Sequence, residues 1–185
     1  MSNKGFFDAL NVLDGIEGGL GLLPGDRGKL TNRGVTQVTY DKYRDHIKTK
    51  RRSVAEMTEA ERADIYLSFY WEPAHCNEMT WPLNVTHFVF YVNVPPGIAI
   101  RVLQRALEVQ DDGDFGPITL RAVKLASADQ FQAHIVSYRH MLHQLFYYDT
   151  LDEGPDPERD RVNTGFLTNL WIKRVKRLFR EINHI

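Results

Sequence analysis

The chain is poor in cysteine. It has one, Cys76, which excludes an internal disulfide framework. That fits a reducing compartment, or a fold stable without covalent staples. It also lacks a long apolar run. Nothing approaches the roughly 20 residues that a membrane-spanning helix needs. The opening MSNKGFFDALNVLDG breaks its short apolar pattern with Lys4, Asp8 and Asp14, so it does not read as a signal peptide. Net charge is lacking too: 23 Lys and Arg face 24 Asp and Glu, a balance of −1. The whole molecule therefore offers no electrostatic case for nucleic acid. Internal repeats, low-complexity tracts and the GxxxxGK[ST] and GxGxxG phosphate loops are absent, and GLGLLPG follows a helical pattern instead of a strand. What is present is an ordinary globular composition, 43% hydrophobic over 185 residues. One domain, or one with a small extension, can bury a core of that size. The expectation is a chain made in the cytoplasm, carried out by something else if it acts elsewhere.

The periodicity is mostly helical. Phe6, Leu10, Leu13 and Glu17 share one helix face, and Gly18-Gly19 supplies a stop. Residues 20–34 read as a loop or short hairpin. GVTQVTYDKYRDHI (34–47) reads as a helix with Thr36 as N-cap. Ser53 with Glu56, and Thr58 with Glu61, both have capping-box spacing, and the second opens a helix running to Trp71. NVTHFVFYVN (84–93) permits a strand or a buried helix. Further helices are expected over 98–109, from 118, over 128–147 with Phe131, Ile135, Tyr138, Leu142 and Leu145, and over 164–182. The last should bury Phe166, Leu170, Trp171, Val175, Leu178 and Ile182 and carry Lys173, Arg174, Lys176, Arg177 and Arg180 outside. DEGPDPERD (152–160) reads as an exposed acidic loop. The fold class is mainly α, with any β confined to the loop after Glu17.

Glu17 is a carboxylate on the stripe that should face the core. Burial raises a carboxyl pKa, and the negative end of a helix dipole acts in the same direction. A carboxylic acid kept protonated near neutrality is a general acid. The glycines after it let another chain, or a sugar, approach closely. Asp26 sits in a polar loop where it should stay ionised. One neutral and one charged carboxyl is the division of labour in glycoside hydrolysis. A Glu17 that frays into water at the last helical turn fits the pattern equally well.

IEGGLGLLPGDRGKLTNRGVT resembles the N-terminal signature of glycoside hydrolase family 108, the phage-type N-acetylmuramidases. The matching positions are Glu17, Gly18, Gly19, Asp26, Gly28, Thr31, Gly34, Val35 and Thr36. The order Glu, Asp, Thr is similar to the catalytic trio of phage lysozymes. IYLSFYWEPAHCNEM resembles a further family segment, and VLQRALEVQDDGDFGPITLRAV resembles the peptidoglycan-binding region usually fused behind it. The closing residues Tyr138, Arg139, Tyr147, Phe166, Trp171, Arg174 and Val175 resemble that region's last helices. The resemblance implies an α+β lysozyme-like fold, a helical bundle with a small hairpin beside the catalytic Glu. It implies a catalytic domain over 1–92 packed against a helical wall-binding domain over 93–185. Glu17 would be the general acid, Asp26 would orient water or stabilise positive charge on the sugar, and Thr31 would hold that water. Gly18, Gly19, Asn32 and Asn93 would contact substrate, and Tyr66, Tyr70 and Trp71 would stack on saccharide. No metal or organic cofactor is implied. Peptidoglycan is the implied partner, with synthesis in a phage-infected host and holin release or virion delivery.

The chain departs from the family pattern at Leu20, Lys29, Arg33 and Val89, where the family usually has an aromatic, Gly, Tyr and Asp. These changes would alter substrate or rate, or mark a copy kept for structure; the intact trio favours an active enzyme. Other candidates are weaker. DDGDFG lacks the carboxylate that a calcium loop needs near its twelfth position. His134, His140 and His143 have no nearby carboxylate or cysteine to complete a metal set. Cys76 beside His75 reads as a buried thiol. The cationic face of WIKRVKRLFREI reads as a solvated face, or as a contact for an anionic envelope surface.

Overall fold

The computed structural model describes residues 4–17, 31–150 and 172–183, without the side chains of Glu17, Asp149 and Thr150. Helix α1 (Lys4–Glu17) forms where the apolar stripe predicts it. Phe6, Leu10 and Leu13 are buried along it, with Ala9, Val12 and Ile16. After it come β1 (Thr31–Asn32) and β2 (Val35–Thr36), an antiparallel pair with Thr31 opposite Thr36 and Asn32 opposite Val35. Their two-residue turn, Arg33 and Gly34, has positive φ at both positions (49° and 82°). That backbone matches the twist of a tight hairpin. Among the described residues the β structure therefore lies in the loop after Glu17, as expected.

Helix α2 (Gln37–His46) starts at Thr36, whose side chain accepts from the Thr39 amide at 3.2 Å. Of the two capping-box patterns, only the one opening α3 (Glu59–Tyr66) closes, with Thr58 and Glu61 bonded reciprocally. Ser53 instead caps a single 3-10 turn, Val54–Glu56, by accepting from Ala55 two residues on. Glu61 also knits α3 to α2 and the connector. It accepts from Tyr40 Oη (3.0 Å), Arg44 Nη1 (2.7 Å) and Arg52 Nη2 (2.7 Å). Burial pushes its pKa up, but the Thr58 amide, Arg52 and Tyr40 together outweigh that and hold it at about 2. The helix does not run evenly to Trp71. It widens into a π turn over Leu67–Trp71, with the Glu72 amide reaching back to the Leu67 carbonyl at 2.9 Å.

Helix α4 (Leu83–Tyr91) resolves the choice between strand and helix at 84–93. All nine of its residues are buried, and a helix can be buried on every side because it satisfies its own backbone. It packs against α1, α5 (Pro96–Ala106) and α7 (Gln130–Thr150). The DDGDFG stretch is a turn between α5 and α6 (Pro117–Ser127). Buried Gln104 holds it, donating to Asp112 Oδ1, the Asp114 carbonyl and Thr119 Oγ1, and accepting from the Gly113 amide.

The helix expected over 128–147 forms, and its stripe Phe131, Ile135, Tyr138, Leu142, Leu145 is only partly covered, with Tyr138 and Leu145 packed at the edge of the core. The covered face carries Ala133, Val136, Ser137, His140, Met141, Gln144 and Tyr148, while Phe131 and Leu142 are exposed. Helix α8, residues 172–183, buries Val175, Leu178 and Ile182 as expected. Two of its five cations reach back to the rest of the chain: half-buried Arg174 donates through Nη1 to Asn93 Oδ1 at 2.6 Å, and Arg177, which stays exposed, donates through Nη1 to the Ile16 carbonyl at 3.0 Å. Phe166, Leu170, Trp171 and the acidic stretch 152–160 lie outside the described residues. The principal core joins Phe88 and Val89 to Val102, Met141 and Val175, so residues on both sides of position 92 share it.

Candidate functional site

The last turn of α1 and the hairpin flank the stretch that carries the family signature. Arg62 of α3 ties them together. Its guanidinium is 4% exposed and donates through Nη1 to Asp14 Oδ2 at 3.2 Å, and through Nη2 to Asp14 Oδ1. It also donates to Glu59 Oε1 at 3.0 Å and, through Nε, to the Arg33 carbonyl at 3.2 Å. Tyr66 lies beneath it, 5.0 Å from ring centre to guanidinium carbon. Asp14 is three residues before Glu17, one helical turn away. One buried cation thus fixes the end of α1 against the hairpin of Thr31 and Asn32. Arg33 adds an ion pair to Glu59 that braces the turn.

Sequence reading missed Arg62. A signal was available: it stands three and four residues before Ile65 and Tyr66, on the face of α3 that goes into the core. A cation at that spacing is buried, and a buried cation recruits anions.

Thr31 is exposed on β1, and Asn32 beside it donates through Nδ2 to the Val54 carbonyl at 2.9 Å. The Glu17 side chain, Gly18, Gly19, Leu20, Asp26 and Lys29 lie outside the described residues. The other proposed contacts are placed differently from one another. Tyr66 and Trp71 are each 2% exposed. Trp71 packs edge-on to Phe6 and Phe88 and donates Nε1 to Asn77 Oδ1 at 2.7 Å. Both rings are covered, unlike the open faces that the stacking expectation assigned to them. The π turn is what directs Trp71 inward. Tyr70 is half-buried and keeps that expectation open. Asn93 links the end of α4 to α8, donating to the Val89 carbonyl at 2.7 Å and accepting from Arg174. Val89 itself lies in the core, lining a small cavity with Arg174. A groove between α1 and α3 is walled by Phe6, Phe7, Ala60, Ala63 and Leu67. Its carboxylates are already engaged, Glu59 by Arg33 and Arg62 and Asp64 by the Tyr43 hydroxyl. The latter contact and burial push Tyr43 up to about 12, burial being the larger cause.

Among the described residues no group of three or more His, Cys, Asp and Glu is placed to hold a metal. Cys76 is wholly buried, and burial pushes its thiol well above the usual range. Alkylation of Cys76 is expected only once the protein unfolds. A thiol-reagent time course should show no labelling in buffer and one equivalent in denaturant.

Comparison with known proteins places these features in a context. Residues 10–94 match the family described as Glycosyl hydrolase 108. Residues 98–176 match the one described as Predicted Peptidoglycan domain. The solved "Structure of Brucella abortus SagA" is similar with a TM-score of 0.66 and 22% identity, over 96% of this chain and 95% of that one. At that identity the likeness establishes a shared fold. No curated protein sequence matches the chain.

Proposed function

From a chain whose residues 10–94 belong to the glycosyl hydrolase 108 family and whose residues 98–176 form a peptidoglycan domain, a hydrolase of the peptidoglycan-directed kind, we propose an N-acetylmuramidase. The bond cleaved is the β-1,4 link from N-acetylmuramic acid to N-acetylglucosamine. Glu17 donates its proton to the glycosidic oxygen, and N-acetylglucosamine leaves with a free 4-hydroxyl. Positive charge develops at the muramic C1, facing the Asp26 carboxylate. A water held by Thr31 and Asp26 adds there, passes its proton to the Asp26 carboxylate, and gives a new reducing end. The observation that carries this reading is the Arg62 tether, which sets the exposed Thr31 hydroxyl on a strand fixed to the last turn of α1. Glu17 ends that turn.

The wall-binding half is assigned to residues 93–185. The setting we assign is phage lysis, with holin release or virion delivery, because the family signature resembles phage muramidases. A second reading, a wall-binding or virion structural protein without catalysis, draws support from the inward placement of Tyr66, Trp71 and Asn93. Muropeptide analysis separates the two. Purified peptidoglycan treated with wild type should yield reducing-end N-acetylmuramic acid, and Glu17→Gln should yield none. Folded wild type that releases no product from several wall types would leave the second reading standing.

A further inference from the structure

We propose that the seam between α7 and α8 is a docking groove for an anionic lipid surface. The groove has a volume of about 290 Å³. Its walls are Tyr138, Leu142 and Leu145 of α7 and Val175 and Phe179 of α8, with Lys176 at the rim. Leu142 is 56% exposed and Phe179 50%. Exposed Leu142, with partly buried Tyr138 and Leu145, therefore forms one wall of this groove, and exposed Phe131 extends the same face.

Charge beside the groove selects the occupant. Lys173 and Arg180 stand three residues before and four after Lys176, so all three lie along one side of α8. Among the described residues none of the three makes an ion pair, and together they line one side of a single helix. The chain as a whole carries a charge of −1, so this is a local excess. An apolar trough edged by unneutralised cations suits a ligand that is apolar and anionic together. A wall polymer with phosphate or carboxylate groups would use the cations and leave the trough empty. A second copy packed about a two-fold axis would bring the same cations to the same contact and be repelled. A phospholipid surface with acidic headgroups uses both features.

The test is co-sedimentation of the full chain with phosphatidylglycerol vesicles and, separately, phosphatidylcholine vesicles. Binding to phosphatidylglycerol that is at least about tenfold stronger and weakens with salt is expected. Lys173→Glu with Lys176→Glu should lower it about tenfold or more. Phe179→Ser and, independently, Leu142→Ser should each weaken it while circular dichroism shows an intact fold. Failure to bind phosphatidylglycerol, or equal binding to both vesicles, would overturn the proposal. So would binding untouched by both serine variants, which points to a soluble polyanion. A stable dimer without lipid that Phe179→Ser dissolves would assign the groove to a second copy. Binding that appears only after the carboxylates of 152–160 are neutralised would assign it to that segment of the chain. None of these readouts depends on glycosidase activity.

Discussion

Asp14→Asn combined with Glu59→Gln is expected to cost about 3 kcal/mol of stability, more than removal of Arg62 itself. The asymmetry follows from where the charges sit. Arg62 is nearly closed to water, while the side chains of Asp14 and Glu59 are each about half exposed. Neutralising both carboxylates leaves a guanidinium buried over Tyr66 with no anion beside it. A buried charge stripped of its partner is among the most costly single defects. The figure is at the lower end of that range because the Arg33 carbonyl still accepts from Nε. Arg62→Met strands nothing comparable. Asp14 and Glu59 return to water, the methionine stem keeps contact with Tyr66, and the loss is chiefly the tether to Arg33, about 1–2 kcal/mol. Urea denaturation of the two variants decides the matter. A larger loss in Arg62→Met would mean that the side chain acts through packing and that charge compensation is minor. Both variants should also loosen the hairpin, seen as faster amide exchange at Asn32 and Val35.

The parts of this fold that could be read in advance are those where a helix has one wet and one dry side. The α1 stripe and the Thr36 and Thr58 caps are of that kind, since local spacing and a single hydroxyl decide them. Helix α4 offered no period because nothing about its surroundings alternates; it is dry on every side. In α7 the buried face carries Ser137, His140 and Gln144, so hydrophobicity alone does not mark it. In α8 the five cations look alike in the sequence, and only long-range partners, Asn93 and the Ile16 carbonyl, separate Arg174 and Arg177 from the rest. The site divides in the same way. Glu17 off-pattern on an apolar stripe is a local signal, sharpened by family resemblance. Arg62 joins residues 48 positions apart, and the π turn that hides Trp71 leaves no mark in composition.

Acidification from pH 7 to pH 5 is expected to remove about 2 kcal/mol of stability or more through two histidines. His87 and His140 are wholly buried, with His87 Nδ1 3.1 Å from His140 Nε2. Gln144 Nε2 lies 2.7 Å from His140 Nδ1 and donates to the Thr86 carbonyl at 3.4 Å. With Gln144 as donor, His140 accepts at Nδ1, carries its proton on Nε2 and passes it toward His87 Nδ1. His87 Nε2 is then an N–H with no hydrogen-bond partner. The chain is thus already one acceptor short, and no anion stands ready for a second charge. Burial drives His87 down to about 3, with the nearby charge of His75 adding to it. Burial also lowers His140 well below its usual range, reinforced by His87. The sign follows directly. In the unfolded chain both rings titrate near 6.5, so below that pH the unfolded state binds protons that the folded state refuses. Stability is full above about 6.5 and falls as pH drops toward 3. His87 contributes about 2 kcal/mol by pH 5, and His140 adds to it in the same direction. Glu61, held at about 2, adds its own loss only below its ordinary value of 4.5, so the two limbs separate. Urea midpoints taken from pH 7 to pH 5 should fall steadily in wild type. In His87→Leu with His140→Leu they should be nearly flat over that range, whatever the double variant costs at pH 7. A wild-type midpoint that does not move would show that the two rings accept protons in the folded state.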